Sequence, residues 1–74
     1  SLEDIKSKQI VNQVGIGDRC FINNCIIDKN GRIGDDSRIN GGPHLKNIET
    51  ETYFVKDGIV VIKKGAVIPK GTII

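Results

Sequence analysis

Seventy-four residues carry eleven basic and nine acidic side chains, a formal net charge of +2 spread in mixed sign over a chain that is 27% charged. This is an ordinary solvated surface; it excludes the single-sign basic stripe of a nucleic-acid binder, and no apolar run approaches the length of a membrane span. Aromatics are only 4% of residues, with no Trp or Met, so the interior has to be built from Ile and Val. That suits a thin solenoid, in which each layer buries itself against the next. A chain of this length buries only about 60% of the surface its unfolded form exposes, which is marginal for an independent domain. The expectation is a piece of a larger protein, with Ser1-Leu2 as candidate remnants of expression.

Residues 1–9 read as a polar lead-in, with Leu2 and Ile5 three apart, compatible with a short helix or an extended entry. From residue 10 onward single isoleucines recur at intervals of six: Ile10, Ile16 and Ile22, then Ile33 and Ile39, and finally Ile62, Ile68 and Ile74. Neither the helical period of 3.6 nor strand alternation accounts for this spacing. A chain that turns a corner every six residues does, because one Ile per flat side then points into a shared prism-shaped interior. Small residues follow four positions later, at Cys20, Ser37, Ala66 and Thr72, where a narrow core near a corner would be overfilled by Leu or Phe. Turn formers lie between, at Asp18-Arg19, Asp35-Asp36, Lys64-Gly65 and Lys70-Gly71. The predicted fold class is all-β, a parallel β-helix of hexapeptide repeats.

The array has two flaws. Ile22 to Ile27 is a step of five with the large Ile26 where a small residue is expected, and Ile39 to Ile62 is 23, one short of a multiple of six. We therefore divide the β-helix segment 10–74 into a first block at 10–39, an insertion and corner strand at 40–58, and a second block at 59–74. Asn40-Gly41-Gly42-Pro43 is the strongest break, and Pro43 suits the start of a short helix with Leu45 and Ile48 on one face, ending near Glu51. Tyr53 to Lys56 and Ile59 to Ile62 read as strands joined at Asp57-Gly58. Asp-Gly is the usual signal of a two-residue hairpin, but the phase of Ile62 favours a corner between successive sides.

Catalytic chemistry is sparse. Gly15-Ile16-Gly17 lacks the third glycine of a phosphate loop, and Asp18 would repel a phosphate, so it reads as structure. His44 is the only histidine, which excludes a multi-His metal site; a general base would need an orienting partner, and a solvated loop His is the reading preferred. Asp35 and Asp36 read as solvated corner residues. Cys20 and Cys25 match no zinc spacing; Cys20 at a small-residue position is expected to be a buried thiol, in a reducing compartment. Lys29 and Arg32 flank Asn30-Gly31, and Lys63-Lys64 follow the Ile59–Ile62 strand. Basic corners are usually solubilising, but two brought close by stacking could hold a phosphorylated effector.

Two stretches, CIIDKNGRIGD at 25–35 and YFVKDGIVVIKKGAVIPKGTII at 53–74, resemble the C-terminal end of the glucose-1-phosphate adenylyltransferase (ADP-glucose pyrophosphorylase) family, in its plant and cyanobacterial form. The resemblance runs from about Val14 to Ile74. It implies a left-handed β-helix that follows a nucleotidyltransferase domain and takes part in tetramer formation and allosteric control. That family makes ADP-glucose and pyrophosphate from ATP and glucose 1-phosphate in glycogen and starch synthesis. The resemblance implies no catalytic residue, metal or cofactor in these residues, with Mg²⁺ and ATP belonging to the missing catalytic domain. It implies the cytoplasm, or a plastid in a plant, as location. The partners implied are that domain, homo- or hetero-oligomer subunits and a small anionic effector, not nucleic acid or membrane. Lys29 and Lys64 match the family's effector-binding lysines, whereas Lys63 falls on a non-lysine position and Lys56 on a basic one with no ligand assigned. The insertion at 40–52 is about two residues shorter than the family's Asn-rich helix, and Gly31 replaces a common Ala. Two other readings stand beside this one: a hexapeptide-repeat acyltransferase with His44 as base, and a purely structural solenoid.

Overall fold

A computed structural model describes residues 15–74, so Ile10 and the lead-in lie outside the described residues. Among the described residues eight short strands follow in order: β1 (Phe21–Asn23), β2 (Cys25–Ile27), β3 (Arg32–Ile33), β4 (Arg38–Asn40), β5 (Ile48–Glu49), β6 (Tyr53–Lys56), β7 (Ile59–Ile62) and β8 (Val67–Ile68). They form a coil with three flat sides. On the first side Ile16 bridges Ile33, which pairs with Ile68 in β8. On the second, β1 and β4 align Ile22 with Ile39, and Arg38 bridges Ile73. On the third, β2 and β7 align Ile27 with Ile62. All of these pairings are parallel, one turn of the coil stacked on the next at a strand spacing of about 4.8 Å.

The sixfold isoleucines converge where the spacing puts them. Ile33, Ile39, Ile62 and Ile68 are at most 2% exposed, and Ile22, Ile27 and Ile74 pack against them. Ser37 is fully buried beside them, its hydroxyl donating to the carbonyls of Gly34 at 2.8 Å and Pro69 at 3.2 Å. Cys20 is only partly buried, in contact with the core, rather than the enclosed thiol expected. The corners bend through left-handed backbone at their second residue: Arg19 (φ 58°), Asp36 (φ 62°), Gly65 (φ 71°) and Gly71 (φ 74°). Arg19 and Asp36 have Cβ atoms and so adopt this conformation at a cost. Their side chains meet across stacked corners, with Arg19 Nε donating to Asp36 Oδ1 at 2.6 Å and Nη2 to Oδ2 at 3.1 Å.

Both flaws in the repeat have a local explanation. Between β1 and β2 the chain turns on Asn24 alone (φ 50°), one residue sooner than elsewhere, and Ile26 faces outward at 57% exposure instead of crowding the core. The 40–58 segment is an excursion from the coil. The helix predicted from Pro43 does not form. A single turn closes with the Leu45 amide donating to Gly42 O at 3.1 Å, and Ile48–Glu49 then pairs with Val55 and Phe54 as β5. A helix this short repays its nucleation poorly, whereas β5 gains a strand partner at once. The Asp57 amide donates to Asn47 Oδ1 at 2.9 Å and anchors the start of that strand.

The corner expected at Asp57-Gly58 is instead a hairpin. β6 and β7 are antiparallel with Lys56 opposite Ile59, and both turn residues have positive φ, 51° and 83°, as a two-residue hairpin requires. The phase of Ile62 does not discriminate, since β7 stacks on β2 as the third side of its turn and keeps Ile62 in step whichever way β6 arrives. The resulting sheet order is β2-β7-β6-β5. β6 thus covers the edge of β7 on which a further turn of the coil would otherwise stack.

Candidate functional site

The corner joining the third side to the first is built twice. Residues 28–31 link β2 to β3, and residues 63–66 link β7 to β8; the strand registers on both flanks set Lys29 directly beneath Lys64. Backbone bonds hold the two corners together: the Asp28 amide donates to Ile62 O (2.9 Å), Gly65 to Lys29 O (2.8 Å) and Arg32 to Ala66 O (2.8 Å). The lower corner is braced from within by the Gly31 amide on Asp28 O (2.9 Å) and the Lys29 amide on Asp28 Oδ1 (2.6 Å), with Asn30 in left-handed backbone at φ 61°. Asn adopts that conformation more readily than most residues with a Cβ. Two exposed ammonium groups therefore rise from rigid corners one strand spacing apart. Like charges so placed repel, and an anion between them relieves the repulsion.

The adjacent Lys63 is differently employed. Its Nζ donates to Glu49 Oε2 at 2.8 Å and to Thr50 O at 2.6 Å, tying the coil to the β5 end of the excursion. The bond from Lys63 holds the Glu49 carboxyl below the usual carboxylate range. Sequence reasoning separated Lys64 from Lys63 only through the resemblance. The physical distinction is the carboxylate of Glu49, fourteen positions earlier, which the excursion brings back to the corner.

A cleft beside the lower corner is lined by Gly15, Ile27, Asp28, Lys29, Asn30, Gly31 and Arg32. Arg32 thus shares a surface with Lys29, in keeping with their places on either side of Asn30-Gly31. Asp35 and Asp36 lie at a different corner, between the first and second sides, where the bond from Arg19 holds the Asp36 carboxyl low. His44 is exposed in the excursion, against Gly42 and near the N-terminal end of β7, whereas Lys63 and Lys64 follow its C-terminal end. Among the described residues no side chain orients its imidazole. Lys56 precedes the hairpin turn, also at that far end. Among the described residues no three His, Cys, Asp or Glu side chains gather as metal ligands. Cys20 and Cys25 are both free thiols, and burial pushes the Cys25 thiol up to about 11. No helix among the described residues is long and apolar enough to cross a membrane.

Comparison with known proteins is consistent across the chain. Residues 1–73 match the family described as GLGC left-handed parallel beta-helix domain. The chain is 44% identical over 63 residues to a glucose-1-phosphate adenylyltransferase small subunit of Zea mays, an alignment covering 82% of this chain and 50% of that relative. It is also 44% identical over 63 residues to the chloroplastic/amyloplastic small subunit of Triticum aestivum, covering 82% of this chain and 13% of that relative. The chain therefore spans no more than half the length of either.

Proposed function

This chain belongs to the family of GLGC left-handed parallel β-helix domains, and from that premise we propose that it is the regulatory and oligomerising β-helix of a glucose-1-phosphate adenylyltransferase. In this reading the whole protein converts ATP and glucose 1-phosphate to ADP-glucose and pyrophosphate. Mg²⁺ and ATP are handled by a catalytic domain outside these residues, and the β-helix packs against that domain within a tetramer. Its compartment is the cytoplasm, or a plastid if the source is a plant; the wheat relative's name assigns that protein to the chloroplast or amyloplast.

Lys29 and Lys64 are the effector contacts. The observation supporting this is their register: two stacked corners present both lysines on one edge of the coil, while Lys63 beside them is bound to Glu49. Ammonium groups bind phosphate as compact point charges and tolerate several phosphorylated ligands, which suits an effector site better than a catalytic one. In the full-length enzyme, Lys64→Ala is expected to raise the half-saturating activator concentration by about tenfold while unactivated turnover stays largely intact. Activation indistinguishable from the parent enzyme would remove the effector role and leave the coil as architecture alone.

A further inference from the structure

We propose that Arg32 is a third cationic contact of the effector corner, gripping two oxygens of a phosphate group with its planar fork while Lys29 and Lys64 act as point charges. The proposal rests on the reading of that corner as an anion site, and it adds the residue that gives the site directional selectivity. Arg32 is exposed at the start of β3, one residue beyond the corner, and it lines the same cleft as Lys29.

Among the described residues the outward column on either side of it carries no acceptor side chain. In the column of outward positions on the first side, Val67 sits beside Arg32 on the next turn, and an apolar side chain offers the guanidinium no competing acceptor. On the other flank lies Gly15, with φ at 94°. A Cβ at Gly15 would lie 2.7 Å from Gly31 O and 3.1 Å from Arg32 Cγ. Only glycine leaves room for the arginine stem to rest on the neighbouring turn, and only glycine adopts this backbone without strain. The Arg32 amide is fixed on Ala66 O at 2.8 Å, so its Cα is held to both stacked corners. Asp28 also lines the cleft, but its Oδ1 accepts the Lys29 amide at 2.6 Å, which holds the carboxylate down on its own turn.

A guanidinium presents its donors in a rigid fork that matches two phosphate oxygens, whereas an ammonium supplies charge without direction. Arginine in this place therefore does what a third lysine would not. Full-length protein titrated with inorganic phosphate by calorimetry tests this, comparing the parent with Arg32→Ala, Arg32→Lys and Lys64→Ala. Arg32→Ala is expected to weaken phosphate by roughly tenfold or more, and Arg32→Lys to recover only part of the loss. Because Arg32 is exposed, both variants are expected to fold, and a far-ultraviolet circular dichroism spectrum and melting temperature matching the parent would verify this. If Lys64→Ala weakens phosphate while Arg32→Ala binds within about twofold of the parent, Arg32 is not a contact and the lysine corner stands without it. If Arg32→Lys binds as tightly as the parent, charge alone suffices and the fork is refuted. If neither Lys64→Ala nor Arg32→Ala changes affinity, the corner itself is not the anion site and the proposal falls with it.

Discussion

Single side chains in this coil are held to narrow tolerances because three sides share one thin interior. Ser37 shows the limit most clearly. It is fully buried, and its hydroxyl serves carbonyls on two successive turns, Gly34 at 2.8 Å and Pro69 at 3.2 Å. Ser37→Ala removes one donor shared by two part-buried carbonyls and is expected to cost about 1 kcal/mol of local stability. Ser37→Leu forces extra volume into a filled corner and is expected to cost about 1–3 kcal/mol or more. Native-state hydrogen exchange of the amides in β3, β4 and β8 of the full-length protein reads both. Cys25 offers a different test. Burial raises its thiol to about 11, so at pH 8 roughly one part in a thousand is thiolate. Alkylation resolved by peptide mass spectrometry is expected to be slow at Cys25 in the native protein and fast after unfolding. The sign of the linked stability follows. The unfolded thiol ionises first, near pH 8.5, so stability is complete below that pH and declines as pH rises toward about 11.

At the scale of elements, the excursion between β4 and β7 is tied to the coil near β5 and closed on itself at the hairpin. Near β5, Lys63 reaches Glu49 and Thr50; at the hairpin, Gly58 packs against the Gly42-Pro43 backbone. A Cβ on Gly58 would meet Gly42 C at 2.9 Å, and φ there is 83°. Gly58→Ala combines a backbone clash with left-handed strain and is expected to cost about 1–3 kcal/mol, read as accelerated exchange of the β6 and β7 amides. Asp57→Asn, which suits the same turn, is expected to leave exchange unchanged. This element also shows where reading from the chain alone fails. Asp57-Gly58 carries the hairpin signal, and the repeat phase of Ile62 does not oppose it, because β7 keeps that phase however β6 arrives. A short helix from Pro43 would set Leu45 and Ile48 on one face, but Ile48 gains more by pairing with Val55.

The whole molecule is a stack whose stability comes from neighbouring turns, so its ends matter most. On the third side β6 covers β7, whereas on the first and second sides β8 and Ile73-Ile74 carry the last pairings among the described residues. Val67 and Ile73 are 59% and 77% exposed there. Short parallel strands with uncovered edges and exposed aliphatics invite pairing with another chain. The isolated segment is expected to self-associate with rising concentration in sedimentation velocity; a clean monomer at high concentration would contradict this. Within the parent protein, the same surfaces are candidates for contact with the catalytic domain or neighbouring subunits.

The isoleucine spacing alone determined the axis of the coil: Ile33, Ile39, Ile62 and Ile68 meet on it because a sixfold bend leaves each side a single inward position, whereas the buried Val55 and Val60 come from strands β6 and β7. Corner positions were equally readable, since few residues other than Gly, Asn and Asp turn left-handed at low cost. Handedness came from family likeness, because spacing is the same in either hand. Only the tertiary structure decided which basic residues share a surface. Lys29 and Lys64 are 35 positions apart and become neighbours through the β2–β7 and β3–β8 registers. Lys63 is engaged because the excursion returns Glu49 to it, and Gly15, one turn earlier, leaves room for the Arg32 stem. Periodicity is local and survives in one dimension; adjacency across turns depends on how residues outside the repeat fold back, and no spacing rule encodes that.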